Sequence, residues 1–146
     1  MSTSSRLTLQ QANAIAAAAL AEAAKLGLKP LTVAVLDAGG RLVALQRQDG
    51  SSNLRPEIAM GKAAGALSLG VSSRKIAAMA AERPTFVAAL APLATATGGL
   101  VPAAGGVLIA GDGAPIGAVG VTGDTSDNDE LCALAGIAAA GLTAID

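Results

Sequence analysis

The sequence predicts an α+β fold, an antiparallel sheet covered by helices. Three observations carry this. Two pairs of β-rich segments are each joined by a short glycine-bearing turn, at Ala38-Gly39-Gly40 and over Gly111–Ala114. Segments with helix start and stop signals precede, separate and follow these pairs. No repeat or low-complexity linker divides the 146 residues, so one domain with its own hydrophobic core is expected.

The elements follow in order. Thr8-Leu9-Gln10-Gln11 is a capping box, and its helix runs to Lys25 and stops at Gly27. Leu9, Ile15 and Leu20 mark its apolar face. Leu31–Asp37 and Arg41–Arg47 read as the strands of the first hairpin. A polar loop, Gln48–Pro56, leads into a helix whose first turn holds Pro56 and Glu57 and which ends at Gly70. Gly61 and Gly65 within it predict a close helix crossing, with room for a ligand as the other reading. Ser72 or Ser73 caps a short helix to Glu82, Pro84 breaks it, and Thr85–Leu93 continues as another. Ala94–Ala104 reads as loop with a short strand near Leu100-Val101. Val107–Ala110 and Ile116–Thr122 are the second strand pair, and a last helix runs from about Asp127 to Ala144. Gly117 and Gly120 lie inside a strand, where glycine signals the close approach of another backbone or a ligand.

Composition narrows the function. The net charge is −1 and Phe86 is the only aromatic residue, which excludes binding of nucleic acid by charge or stacking and attraction to a membrane surface. The apolar content, 52 %, is rich in alanine, so a single subunit buries little apolar mass per residue; this points to oligomers, or to coding bias alone. The Ala12–Ala24 run is broken by Asn13 and Glu22 and is not read as a membrane span. Met1–Arg6 is polar and shows no secretory signal, so a cytoplasmic protein is expected. A single cysteine, Cys132, excludes an internal disulfide. The chain contains no histidine, which removes imidazole acid–base catalysis and His-ligated zinc or haem.

Several motifs fail. Gly111-Asp112-Gly113 joins two strands and lacks the third glycine of a dinucleotide fingerprint. Ser72-x-x-Lys75 matches a serine–lysine pair, but Ser72 is explained as a cap. Asp124, Ser126, Asn128 and Glu130 alternate like a calcium loop without its glycine or its last acid. Asp127, Asp129 and Glu130 could hold a divalent cation, but a capped helix start accounts for them better, and no metal is assigned. Cys132 lies where a helix dipole could lower its pKa, with a small buried apolar residue as the plainer reading. The cluster left over is Asp49, Arg55, Lys62, Thr122, Asp129 and Glu130. Lys62 stands in an otherwise apolar helix and needs a partner if that face is buried; a carboxylate of the last helix or a ligand anion would serve. The Thr122-Gly123 turn beside a helix start offers backbone N–H groups to a ligand, although the adjacent acids oppose an anion.

The chain resembles the GlcG/HbpS family, also described as haem-degrading or DUF336, and is similar to the C-terminal domain of PduO. The matching residues are Leu7-Thr8-Leu9, Val33–Gly40, Arg47-Gln48-Asp49-Gly50, Lys62-Ala63, Gly105-Gly106-Val107, Ile116–Gly123 and Asp129–Gly136. Their order and spacing carry the likeness. The resemblance implies about five antiparallel strands flanked by helices, in profilin-like layers. It also implies homo-oligomers with ligand pockets near subunit contacts, and haem or corrinoid binding in some members. Two residues depart from the pattern: no histidine is present for a tetrapyrrole, and Thr122 stands where a serine is usual. Met60, Met79, Cys132 and Lys62 are the alternative iron ligands, with nothing to single one out.

Three functions remain. The first is an oligomeric small-molecule-binding protein of a catabolic pathway, with its pocket between the second helix and Gly117–Glu130. Arg55 and Lys62 would hold an anionic group there, and Asp49, Gly120, Thr122 and Gly123 would complete it. The second is a cofactor-independent enzyme moving protons on an organic acid or carbonyl compound through Lys62, Asp129 or Glu130. The third is a haem or corrinoid carrier without histidine ligation.

Overall fold

The computed structural model describes residues 5–145, so the first four residues of the polar Met1–Arg6 start lie outside it. Helix α1 (Leu9–Leu26) opens on the capping box: the Gln11 N–H donates to Thr8 Oγ1 at 3.1 Å and the Thr8 N–H donates to Gln11 Oε1 at 3.0 Å. Strands β1 (Thr32–Asp37) and β2 (Leu42–Arg47) form the first hairpin. Helices α2 (Arg55–Leu69), α3 (Ser73–Glu82, capped by Ser72) and α4 (Pro84–Ala94) follow. Then come β3 (Gly106–Ile109), β4 (Gly117–Thr122), α5 (Ser126–Ala139) and β5 (Ala144–Ile145).

The five strands form one antiparallel sheet in the order β2-β1-β4-β3-β5. Strand alternation sends one set of side chains to each face. Val33, Val35, Val107, Ile109, Val119 and Val121 pack against Ile15 of α1 and Cys132 and Ile137 of α5. Leu36, Leu108 and Ala118 face the alanines of α2, Ala63, Ala64 and Ala66. The α2 face is thin because two strand glycines admit the helix backbone. A Cβ at Gly120 would collide with the Ala59 carbonyl, and one at Gly106 with the Lys62 carbonyl. The close approach signalled by Gly120 is thus met by the backbone of α2.

Four expectations are corrected. Leu100-Val101 is coil, not strand; it lies over Gly61 and Gly65, where added Cβ atoms would press on Val101 and Leu100. That pair of glycines therefore accommodates this coil rather than a helix crossing. The last helix ends at Ala139, because Gly141 turns into the left-handed region at φ 76° and frees Ala144-Ile145 to pair with Leu108-Ile109. Leu9, placed on the buried face of α1, is 59 % exposed, since it occupies the first turn before the helix meets the sheet.

Candidate functional site

The polar residues of the α2 face gather at one end of the sheet. Antiparallel register sets Arg47, Thr32 and Thr122 side by side across β2, β1 and β4. Residues directly opposite one another share a face. Thr32 Oγ1 lies 2.7 Å from Ser51 Oγ, and Arg47 Nη1 donates to the Ser51 carbonyl at 2.9 Å. Arg55, in the first turn of α2, donates from Nη1 to Thr122 Oγ1 at 2.7 Å. This guanidinium is half-buried, and among the described residues no carboxylate lies within ion-pair distance of it.

Lys62 lies further along α2 and is almost wholly buried. Its ammonium donates to the Val121 carbonyl at 2.9 Å and to Asp129 Oδ2 at 3.1 Å. Asp129 in turn accepts the Asp124 N–H on Oδ1 at 2.9 Å. The side chain passes Gly105, where a Cβ would lie 2.9 Å from Nζ. Lys62 thus ties α2, on one face, to the first turn of α5, on the other, around the end of β3. Burial pulls its pKa below the usual lysine value; Asp129 opposes that shift and the nearby Arg55 charge adds to it.

The other predicted residues are placed as follows. Glu130 does not join Lys62; with Asp127 it holds Arg74 at the start of α3, and these contacts keep Arg74 protonated. The cation set read from Asp127, Asp129 and Glu130 is thereby divided between two cationic partners. Among the described residues no three such side chains converge as metal ligands. Asp49 lines an open cleft of about 440 Å³ with Leu28, Pro30, Arg47 and Gln48. Gly120 lies beneath α2. Gly123 adopts φ 143°, with Pro30 and Leu31 where its side chain would be. Thr32, Ser51 and Arg74 were not singled out in the sequence because hairpin ends and polar loops carry such residues without any site; Arg47 stood out only within the family-like stretch, and Asp124 only within the failed calcium-loop pattern. Asp124 is held down to about 2 by hydrogen bonds from the Asn128 side chain first, then from the Thr125 and Lys29 N–H groups.

Cys132 takes the plainer of its two readings, a small buried residue of the core. It is fully buried under α1, and burial pushes its thiol up to about 11, with the Glu22 charge adding to the rise. The dipole does not activate it. The fold keeps a proton that the unfolded chain releases near pH 9, so this contribution is intact below pH 9 and declines as pH rises through about 11. Urea titrations from pH 8 to 11 are expected to show wild type losing ~2–3 kcal/mol more than Cys132→Ala over that window. Parallel curves would refute this.

The sequence matches the family model described as haem degrading protein HbpS-like over residues 7–138. The chain belongs to the HbpS-like family. A search of curated proteins returned no match. Among solved structures, HbpS is 34 % identical, with 94 % of this chain and 92 % of that chain covered and a TM-score of 0.78. A double mutant of Streptomyces reticuli HbpS is 33 % identical over 94 % of this chain and 89 % of that one, also at 0.78. The structure titled PduOC:Heme Complex is 25 % identical, covers 97 % of this chain and 99 % of that chain, and has a TM-score of 0.81. The antiparallel five-stranded architecture of this HbpS-like chain is the one these relatives share. No helix of its described residues is long and apolar enough to cross a membrane.

Proposed function

We propose that this protein binds a small anionic molecule as a homo-oligomer, with Arg55 and Thr122 as the anchor. One observation carries the reading: a half-buried guanidinium is oriented by a threonine hydroxyl and has no carboxylate partner among the described residues. Most of its five donors are left for a ligand. The Gly123 turn and Arg47, the arginine of the strand row, extend the same end of the sheet. Lys62 stands behind this site rather than in it, since Asp129 and Val121 already engage its ammonium.

Haem comes into consideration through the relatives, one of which is titled as a haem complex. The donors present do not fit axial ligation of iron at this end of the sheet. The chain has no histidine, Cys132 is a neutral thiol on the opposite face, and Lys62 is ion-paired. Met60 packs against the core cluster of Leu36 and Leu108, and Met79 lies on α3, which packs on α4, α2 and β3 rather than on this row. The reading therefore rests on the anion alone. The same engagement of Lys62 makes an enzyme that moves protons through it the weaker reading.

Native mass spectrometry of the purified protein tests this. The expected result is a defined oligomer that retains a small anion, or that binds added butyrate. Arg55→Gln is expected to weaken that binding at least tenfold, the loss of a charged hydrogen-bonding partner. Binding unchanged in Arg55→Gln would overturn the assignment.

A further inference from the structure

The α2 face of the sheet is not covered evenly. α2 lies over β4, β1 and β3 and hardly reaches the edge strand β2. Register continues the polar row inward as Leu45, Ala34 and Gly120, and then as Leu42, Leu36 and Ala118. Ala34, Leu36 and Ala118 are buried, but Leu45 is 37 % exposed and Leu42 48 % exposed. A bare apolar strip thus runs along β2 beside α2. It starts from the row that holds Arg47 and Thr122. Beyond Leu42 it opens into a cleft of about 360 Å³ between the Gly39–Leu42 turn and residues 96–98. Two rows of strand at two residues each span roughly 13 Å.

We propose that the strip receives the apolar body of the ligand whose carboxylate sits on Arg55, so that the ligand is an amphipathic carboxylic acid with a medium-length alkyl or aryl-alkyl chain. This rests on the assignment of Arg55 as the anchor. Charge complementarity favours such an occupant. Arg47 stands at the end of the strip and Arg55 meets the same row two strands away, at Thr122; neither has a carboxylate within ion-pair distance among the described residues. A small hydroxy acid would fill the charged end and leave the leucines bare. A ten-carbon acid matches both the charge and the length.

The test compares butyrate with decanoate by calorimetry and by amide chemical shifts on the oligomer as purified. Each methylene buried is worth about fourfold in affinity, so decanoate is expected to bind at least tenfold more tightly than butyrate. Leu45→Ser, at an exposed position of an edge strand, is expected to weaken decanoate at least fivefold and leave butyrate unchanged. Leu42→Ser should act in the same direction. Leu93→Ser, on the exposed side of α4, should change neither. Arg55→Gln should weaken both acids. If decanoate gains nothing over butyrate while Arg55→Gln still weakens both, the amphipathic ligand is wrong and the anchor stands. If Arg55→Gln changes neither, the anchor itself falls, and this inference with it. If Leu45→Ser breaks the oligomer in native mass spectra and decanoate affinity is unchanged, a second copy of the chain covers the strip and the inference is overturned.

Discussion

Lys62→Met is expected to destabilise the fold by about 3–5 kcal/mol in urea unfolding at neutral pH. The methionine fills the apolar part of the lysine path past Gly105. Packing is therefore largely kept, and the loss is electrostatic. Asp129 stays buried as a carboxylate still held by the Asp124 N–H, and Val121 loses the lysine donor to its carbonyl. An unpaired buried charge is more costly than an absent pair. The double variant Lys62→Met/Asp129→Asn is therefore expected to lose at least ~1 kcal/mol less than the two single losses added together, because it removes both charges. Additive losses would mean that solvent reaches Asp129. The same pair sets a pH dependence of known sign. The folded-state pKa of Lys62 lies below the ordinary lysine value, so between the two the unfolded chain binds more protons than the fold. This group alone therefore makes wild type more stable as pH rises through that window, the opposite of Cys132.

The sheet was legible because its strands alternate or run apolar between glycine turns, and the first hairpin and Gly117–Thr122 needed no tertiary information. β5 was not legible: two residues after a left-handed glycine have no periodicity, and only their pairing with β3 makes them a strand. Leu100-Val101 misled for the opposite reason, since two β-forming residues serve there to fill the glycine side of α2. For the site, the need of a buried Lys62 for a partner was legible, with a carboxylate of the last helix and a ligand anion both open, and Asp129 is the partner the fold supplies. The division of the acidic helix start was not legible. Asp127, Asp129 and Glu130 look equivalent in sequence, and only the arrival of Arg74 from α3 separates their roles. The row Arg47–Thr32–Thr122 depends on strand order, because β4 reaches the neighbourhood of β1 only by crossing back from the far end of the chain.

Gly120→Ala is expected to destabilise by about 3 kcal/mol, at the upper end for overpacking. Its added methyl meets the Ala59 carbonyl, and the backbone of a helix cannot swing aside as a side chain can. Relief requires α2 to lift from β4. Gly70→Ala is the comparison: its φ of 73° is strained for alanine, but nothing lies within 4 Å of the new Cβ, so only the backbone cost of about 1–2 kcal/mol is expected. A loss at Gly120 no larger than at Gly70 would mean that the helix rides loosely on the sheet. The consequence extends to the anchor. Arg55 precedes Ala59 by about one helical turn, and its hold on Thr122 depends on how closely α2 lies on the strand. Lifting the helix draws the guanidinium away from the hydroxyl that orients it. Gly120→Ala should therefore weaken carboxylate binding under conditions where the protein is still fully folded, although the substituted residue touches no ligand. In this fold, then, a glycine without a side chain sets the position of the residue that carries the charge.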